Sequence, residues 1–261
     1  MKKMLSTLIS CLLIIIVSTG CTSAGGEQSP SQTPSVQSSQ PSPTASGLTA
    51  FLNTYVEAKF PAWQAMEKKF EEEQNINFSF LEPGFIMADL ALTDFALYDT
   101  RSVPEGDPAY IPVWTNSNGS LFEFGCDHVF PQDVNQNKKG DHIIAAGKFD
   151  VAGMLSYDWR VESGGVITQR TVIEIVQNAD GSYASRVFFI GSDGYLIGAL
   201  VRFKGADIEG AQVEKAAGLD CTIDSIWGKQ DVTIQDMAAG YEIVFSFSYI
   251  DGQTASQLKQ E

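Results

Sequence analysis

The chain is short of the residues on which catalytic and metal chemistry most often draws. It has two histidines and four cysteines in 261 residues, and 17 Lys and Arg stand against 32 Asp and Glu, a formal net charge of −15. A protein that acidic repels phosphate polymers, and no cluster of Lys or Arg reverses the sign locally, so nucleic acid is excluded as a partner. No Gly-rich loop followed by Lys is present to cradle a phosphate. Gly191-Ser192-Asp193-Gly194 lacks the Gly-x-Ser-x-Gly spacing of a nucleophile elbow. Carboxylate pairs can be picked at will from 32 acids, so their presence alone does not indicate glycoside chemistry. The longest apolar run, Leu5 to Val17, is too short to span a bilayer comfortably.

That run has a context. Lys2 and Lys3 precede it, and Ser18, Thr19 and Gly20 lead from it to Cys21. A charged start, an apolar middle and small residues before a cut form an export signal. The stretch Ser18-Thr19-Gly20-Cys21 resembles the lipobox of bacterial lipoproteins, with Ser18 where that family prefers Leu. The resemblance implies removal of residues 1–20 and lipidation of Cys21; the rival is an ordinary secretory cut after Thr22-Ser23-Ala24. It also implies a bacterial source and a protein lipid-anchored at the cell membrane, facing outside the cytoplasm. Cleavage at Cys21 leaves 15 basic residues against the 32 acids. Attachment then depends on acyl chains, and stable anchoring takes more than one.

Residues 21–46 continue as a Ser/Pro-rich tract with one charge, Glu27, and one large apolar residue, Val36. Such a composition cannot bury enough surface to offset chain entropy and reads as a disordered linker. Residues 47–261 contain no second low-complexity break and read as one globular domain.

The domain is expected to be α+β: a curved antiparallel β-sheet of about seven to nine strands with N-terminal helices packed on one face. Leu48, Phe51, Leu52 and Tyr55, then Trp63, Met66 and Phe70, recur at helical spacing, with Pro61 expected to kink the helix or start a second one. Leu90 to Tyr98 is ambiguous between helix and strand. Asn116 to Gly119 reads as a hairpin loop. Thr171 to Gln177, Tyr183 to Ile190 and Tyr195 to Phe203 form a meander whose turns end in Gly181 and Gly194. Val187 to Ile190 is apolar on both sides, the mark of a central strand covered on both faces. Tyr241, Ile243, Phe245, Phe247 and Tyr249 alternate with polar residues, the mark of a strand with one wet face.

Cys126 and Cys221 form an even pair in an exported domain and are a disulfide candidate, the alternative being two separate buried thiols. Both histidines, His128 and His142, fall in the segment 126–142 with Asp127, Asp133, Asn135, Asn137 and Asp141, the densest set of metal-competent side chains in the chain. Oxygen ligands at alternate positions would suit Ca²⁺. The likeness to a calcium loop ends at Lys138, where an EF-hand needs Gly, and at Ile144, where it needs the closing Glu. The segment is therefore either a solvated turn-rich loop or a metal site, and no cofactor is expected beyond that calcium option. Cys126 and His128 would share a face of an extended strand, a thiol beside a base. Trp114 and Trp227 are open to surface stacking as platforms for carbohydrate, whereas Trp159 alternates with core residues.

The function expected is that of a non-catalytic binding or interaction module on a membrane-anchored lipoprotein, its partner an envelope protein or polymer. The alternative is a carrier or sensor of a small apolar ligand held on the concave sheet face. A third reading, a hydrolytic or metal-dependent enzyme, would need Cys126, His128 and Asp141 to converge in a cleft.

Overall fold

A computed structural model describes residues 44–76, 106–108, 110–134, 137–216, 218 and 220–259. The chain divides into the units Met1–Gln40 and Pro41–Glu261, and all described residues belong to the second. Cys21, Asn135 and Leu90 to Tyr98 lie outside the described residues.

The described chain begins with a helix, α1 (Ala45–Gln74). The Gly47 N–H donates to Thr44 Oγ1 at 3.1 Å, which satisfies one of the orphan donors of the first turn. Asn75, in the left-handed region at φ 54°, ends the helix and donates to the Glu71 carbonyl. Between these caps α1 runs unbroken through Pro61, so of the two outcomes expected there, a kink or a second helix, the second is corrected to one helix of 30 residues. Pro61 removes one donor. Against that loss, Leu48, Phe51, Tyr55, Trp63, Met66 and Phe70 are all buried, and each contributes roughly 1.5–3 kcal/mol.

The rest is a ten-stranded antiparallel meander, an open sheet with strand order following sequence order. Its strands are β1 (Val113–Asn118), β2 (Leu121–Val129), β3 (His142–Asp150), β4 (Met154–Ser163), β5 (Val166–Gln177), β6 (Tyr183–Ile190), β7 (Tyr195–Lys204), β8 (Asp207–Ala216), β9 (Glu242–Ile250) and β10 (Gln253–Leu258). Ten strands replace the seven to nine expected. The first hairpin turns at Gly119 and Ser120, so Asn116 to Asn118, expected in the loop, belong to β1.

Each strand alternates between two faces, and α1 covers one of them. Phe51 meets Phe149 at 5.2 Å between ring centroids, Tyr55 shares a 2.7 Å hydrogen bond with Ser185, and Trp63 meets Phe247 edge-on at 5.9 Å. Glycine lets this face close up. Phe124 and Tyr157 stack across β3 over Gly147, where a Cβ would come within 2.3 Å of the Phe124 ring.

The opposite, outer face is covered over part of its width by the long connection between β8 and β9. A short helix in that connection, α2 (Ile234–Ala238), is closed by a capping box between Thr233 and Asp236. Ile226, Val232, Ile234 and Met237 pack there on Val172, Phe188, Leu200 and Val213. β6 is thus sandwiched, as its doubly apolar sequence requires. A register shift in the β8–β9 pairing leaves Val244 unpaired. Phe245 and Phe247 therefore join the α1 side, while Tyr241 stacks on Phe188 at 4.8 Å on the outer side, which corrects the single-face reading of that strand.

Candidate functional site

The residues of segment 126–142 are distributed over a sheet rather than gathered around a point. Cys126 and His128 lie two apart on the α1 side of β2, and His142 lies on the outer side of β3, opposite Val129. The two histidines thus face away from each other. Asp133 and Asp141 serve the loop between these strands. Asp133 Oδ1 accepts from the Lys139 N–H at 2.9 Å, and Asp141 Oδ2 accepts from the Lys138 N–H at 2.7 Å. Asn137 pairs its backbone with Val134. The Lys139 N–H, followed by Lys138, holds the Asp133 carboxyl below its ordinary range. Among the described residues no group of three or more His, Cys, Asp or Glu is arranged to hold a metal.

Cys126 and Cys221 stand here as two separate free thiols, the alternative to the disulfide candidate. The physical reason is the sheet between them. Cys126 is buried on the α1 side, and Cys221 packs on the outer side, where its carbonyl accepts from Arg170 Nη1 at 2.7 Å. Burial pushes the Cys126 thiol up to about 11, against a weaker opposing hydrogen bond with Ala145. A thiol held that far from ionisation is a poor nucleophile at neutral pH. Among the described residues no hydrogen bond joins it to His128: that ring stands edge-on to Phe130 at 5.1 Å, and its Nε2 is buried without a partner.

The groups that do converge lie on the outer face of β1 to β4, beside the part covered by the β8–β9 connection. Alternation along β2 turns Phe122, Phe124 and Cys126 toward α1 and leaves Glu123, Gly125 and Asp127 on the other side. Trp114 of β1 pairs with Gly125, which pairs with the exposed Ala146 of β3. A Cβ on Gly125 would lie 2.6 Å from one indole carbon of Trp114 and 2.2 Å from the Ala145 carbonyl oxygen. Only glycine lets the indole rest across the strand, where Trp114 stays 46% exposed. The carboxylates on either side are held by donors. Asn116 Nδ2 donates to Glu123 Oε2 at 3.1 Å, and His142 Nε2 lies 2.6 Å from Asp127 Oδ1.

Cations on this face are engaged. Arg160 Nε lies 3.0 Å from Glu162, Arg170 bonds Asp158 through two nitrogens at 3.1 and 2.6 Å, and Lys148 Nζ sits 4.2 Å from the centre of the Trp227 ring. Asp158, followed by the opposing cost of burial, leaves the Arg170 guanidinium raised above its ordinary range.

Of the residues singled out from sequence, then, this face includes Trp114, Trp227, Asp127 and His142. Glu123 and Gly125 were not recognised, nor the grouping of Asp127 with them. Their signal was in the text of β2, where a polar-Gly-polar alternation interleaves with Phe122, Phe124 and Cys126. Among the described residues no helix is long and apolar enough to cross a membrane. Comparison with protein-family models, with curated proteins and with solved structures gives no match.

Proposed function

We propose that this chain is an extracytoplasmic lipoprotein, anchored at the cell membrane through Cys21, whose domain is a non-catalytic binding module. The anchor rests on the resemblance of Ser18-Thr19-Gly20-Cys21 to a lipobox, and residues 21–43, ahead of the α1 cap, would hold the domain clear of the membrane. The observation that carries the binding role is the seat of Trp114. A large aromatic side chain is placed across a glycine on an open sheet face, between two hydrogen-bonded carboxylates, where it contributes little to the core. Exposed aromatic anchors ringed by polar groups are how protein surfaces recognise partners. The apolar-carrier reading would use the other face, and α1 lies on it.

Two measurements test the proposal. A palmitate analogue fed to an expressing bacterium is expected to label the full chain and not Cys21→Ala; equal labelling of both removes the anchor. The Cys21→Ala chain, which lacks the anchor, is expected to cosediment with isolated envelope material, and Cys21→Ala combined with Trp114→Ala to cosediment poorly while keeping its melting temperature. Unchanged cosedimentation removes the β1–β3 face as the binding surface.

A further inference from the structure

We propose that the ligand of this face is a neutral glycan, its pyranose ring stacked on Trp114 and its hydroxyls donating to Glu123 and Asp127; this rests on the reading of the face as the binding surface. The indole is backed by the Gly125 backbone on one side and is 46% exposed. An aromatic π-face carries negative charge density, so it attracts the polarised C–H groups of a sugar ring as it attracts cations. Glu123 and Asp127 lie two residues before and two after Gly125 on the same face, which puts their Cα atoms about 13 Å apart with the indole between them. Asn116 binds Oε2 of Glu123 and His142 binds Oδ1 of Asp127, so Oε1 and Oδ2 remain as acceptors for ligand hydroxyls. The floor beside the indole is Ala146, small and exposed, and gives a flat ring room to lie.

Charge selects among polymers. Phosphate or sulfate chains would meet Glu123 and Asp127 on a protein of net charge −15, while Arg160 and Arg170 are already committed to Glu162 and Asp158. An anionic polymer is therefore repelled. A protein partner would need a larger apolar centre than one indole. A neutral sugar needs an aromatic plane and acceptors, and this face offers both. Each contact is weak, and a surface-anchored module gains from many copies meeting one polymer.

The test uses the full chain purified in mild detergent, titrated calorimetrically with cellohexaose, with the N-acetylglucosamine hexamer and with heparin. At least one neutral hexamer is expected to bind, and heparin is not. Trp114→Ala is expected to weaken binding roughly tenfold or more at an unchanged melting temperature, the loss of about one stacking contact. Glu123→Gln and Asp127→Asn together are expected to weaken it as well, and Val166→Ser, an exposed residue at the start of β5, is expected to leave it unchanged. Failure of both neutral hexamers to bind, binding that is indifferent to Trp114, or heparin binding in their place overturns the proposal. If the hexamers fail while Trp114→Ala still abolishes envelope cosedimentation, the glycan class is wrong and the binding face stands. If cosedimentation is also indifferent to Trp114, both are wrong.

Discussion

One row of residues crosses the outer face of the sheet and contains two pairs of the same kind. On β2 and β3, Glu123 stands opposite Lys148; on β5 and β6, Glu174 stands opposite Arg186, with Ser156 of β4 between the pairs. Glu174 and Arg186 are each only 2% exposed, whereas Glu123 and Lys148 are half-buried and form no direct ion pair. The difference lies in what covers them. The β8–β9 connection lies over the second pair and completes its hydrogen bonding: Arg186 Nη1 donates to the Met237 carbonyl at 3.2 Å, Arg186 also donates to the Asp224 carbonyl, and Ser225 donates to Glu174. Toward the first pair the connection sends Trp227, and Lys148 turns to that ring. A buried ion pair is tolerable where every remaining donor and acceptor is met. The connection thus fastens itself to the sheet by satisfying a pair that its own presence desolvates, and where it ends the sheet stays open.

The largest expected effect comes from breaking the covered pair. Arg186→Met leaves Glu174 buried and uncompensated and should cost about 3–5 kcal/mol, read from urea unfolding. The double variant Glu174→Leu with Arg186→Met should regain part of that loss, because two apolar groups need no partners. A single variant that costs less than about 1 kcal/mol, the value of an exposed pair, would erase the contrast between the two halves of the face.

Cys126 sharpens the contrast from the other side of the sheet, since it is buried with no cation to pair with. Burial lifts its thiol from an ordinary value of 9.0 to about 11. Between those values the unfolded chain releases a proton that the folded chain keeps. The stabilisation is therefore whole below pH 9 and is lost as pH rises through 11. The expected loss by pH 11 is on the order of 2 kcal/mol beyond that of Cys126→Ala, measured as the difference in unfolding free energy between pH 8 and pH 11. Equal losses in the two proteins would mean that Cys126 does not titrate as a buried group.

These elements differ in how far the sequence announced them. β6 was legible because Val187 to Ile190 leave no polar side, and a strand of that kind has to be covered twice. The stripe of α1 was legible from its spacing, although the continuity through Pro61 was not: the burial of Trp63, Met66 and Phe70 after the proline outweighs one lost donor. The faces of Cys126 and Cys221 could not be read, since Cys221 belongs to a connection without periodicity whose side of the sheet is set by the contacts around Glu174 and Arg186. The same holds for Tyr241, which the unpaired Val244 separates from Phe245 and Phe247. At the candidate site the alternation of β2 was readable, but the pairing of Trp114 with Gly125 depends on a hairpin whose turn lies two residues past where Asn116 suggested it. Register, rather than composition, hid the site.

The smallest expected effect is at the open pair, and it measures how little an uncovered charge contributes. Glu123→Gln and Lys148→Ala should each change stability by less than about 1 kcal/mol, because water and salt screen both groups. Their double-mutant cycle should show almost no coupling, since Lys148 spends its charge on the Trp227 ring at 4.2 Å and Glu123 accepts from Asn116. What Lys148→Ala does lose should be the cation–π contact, about 0.5–1 kcal/mol, recovered in Lys148→Arg and seen as a change in tryptophan emission that Glu123→Gln does not share. A coupling of several kcal/mol would mean that the open half is sealed in solution as the covered half is, and that Glu123 has no oxygen to offer a ligand.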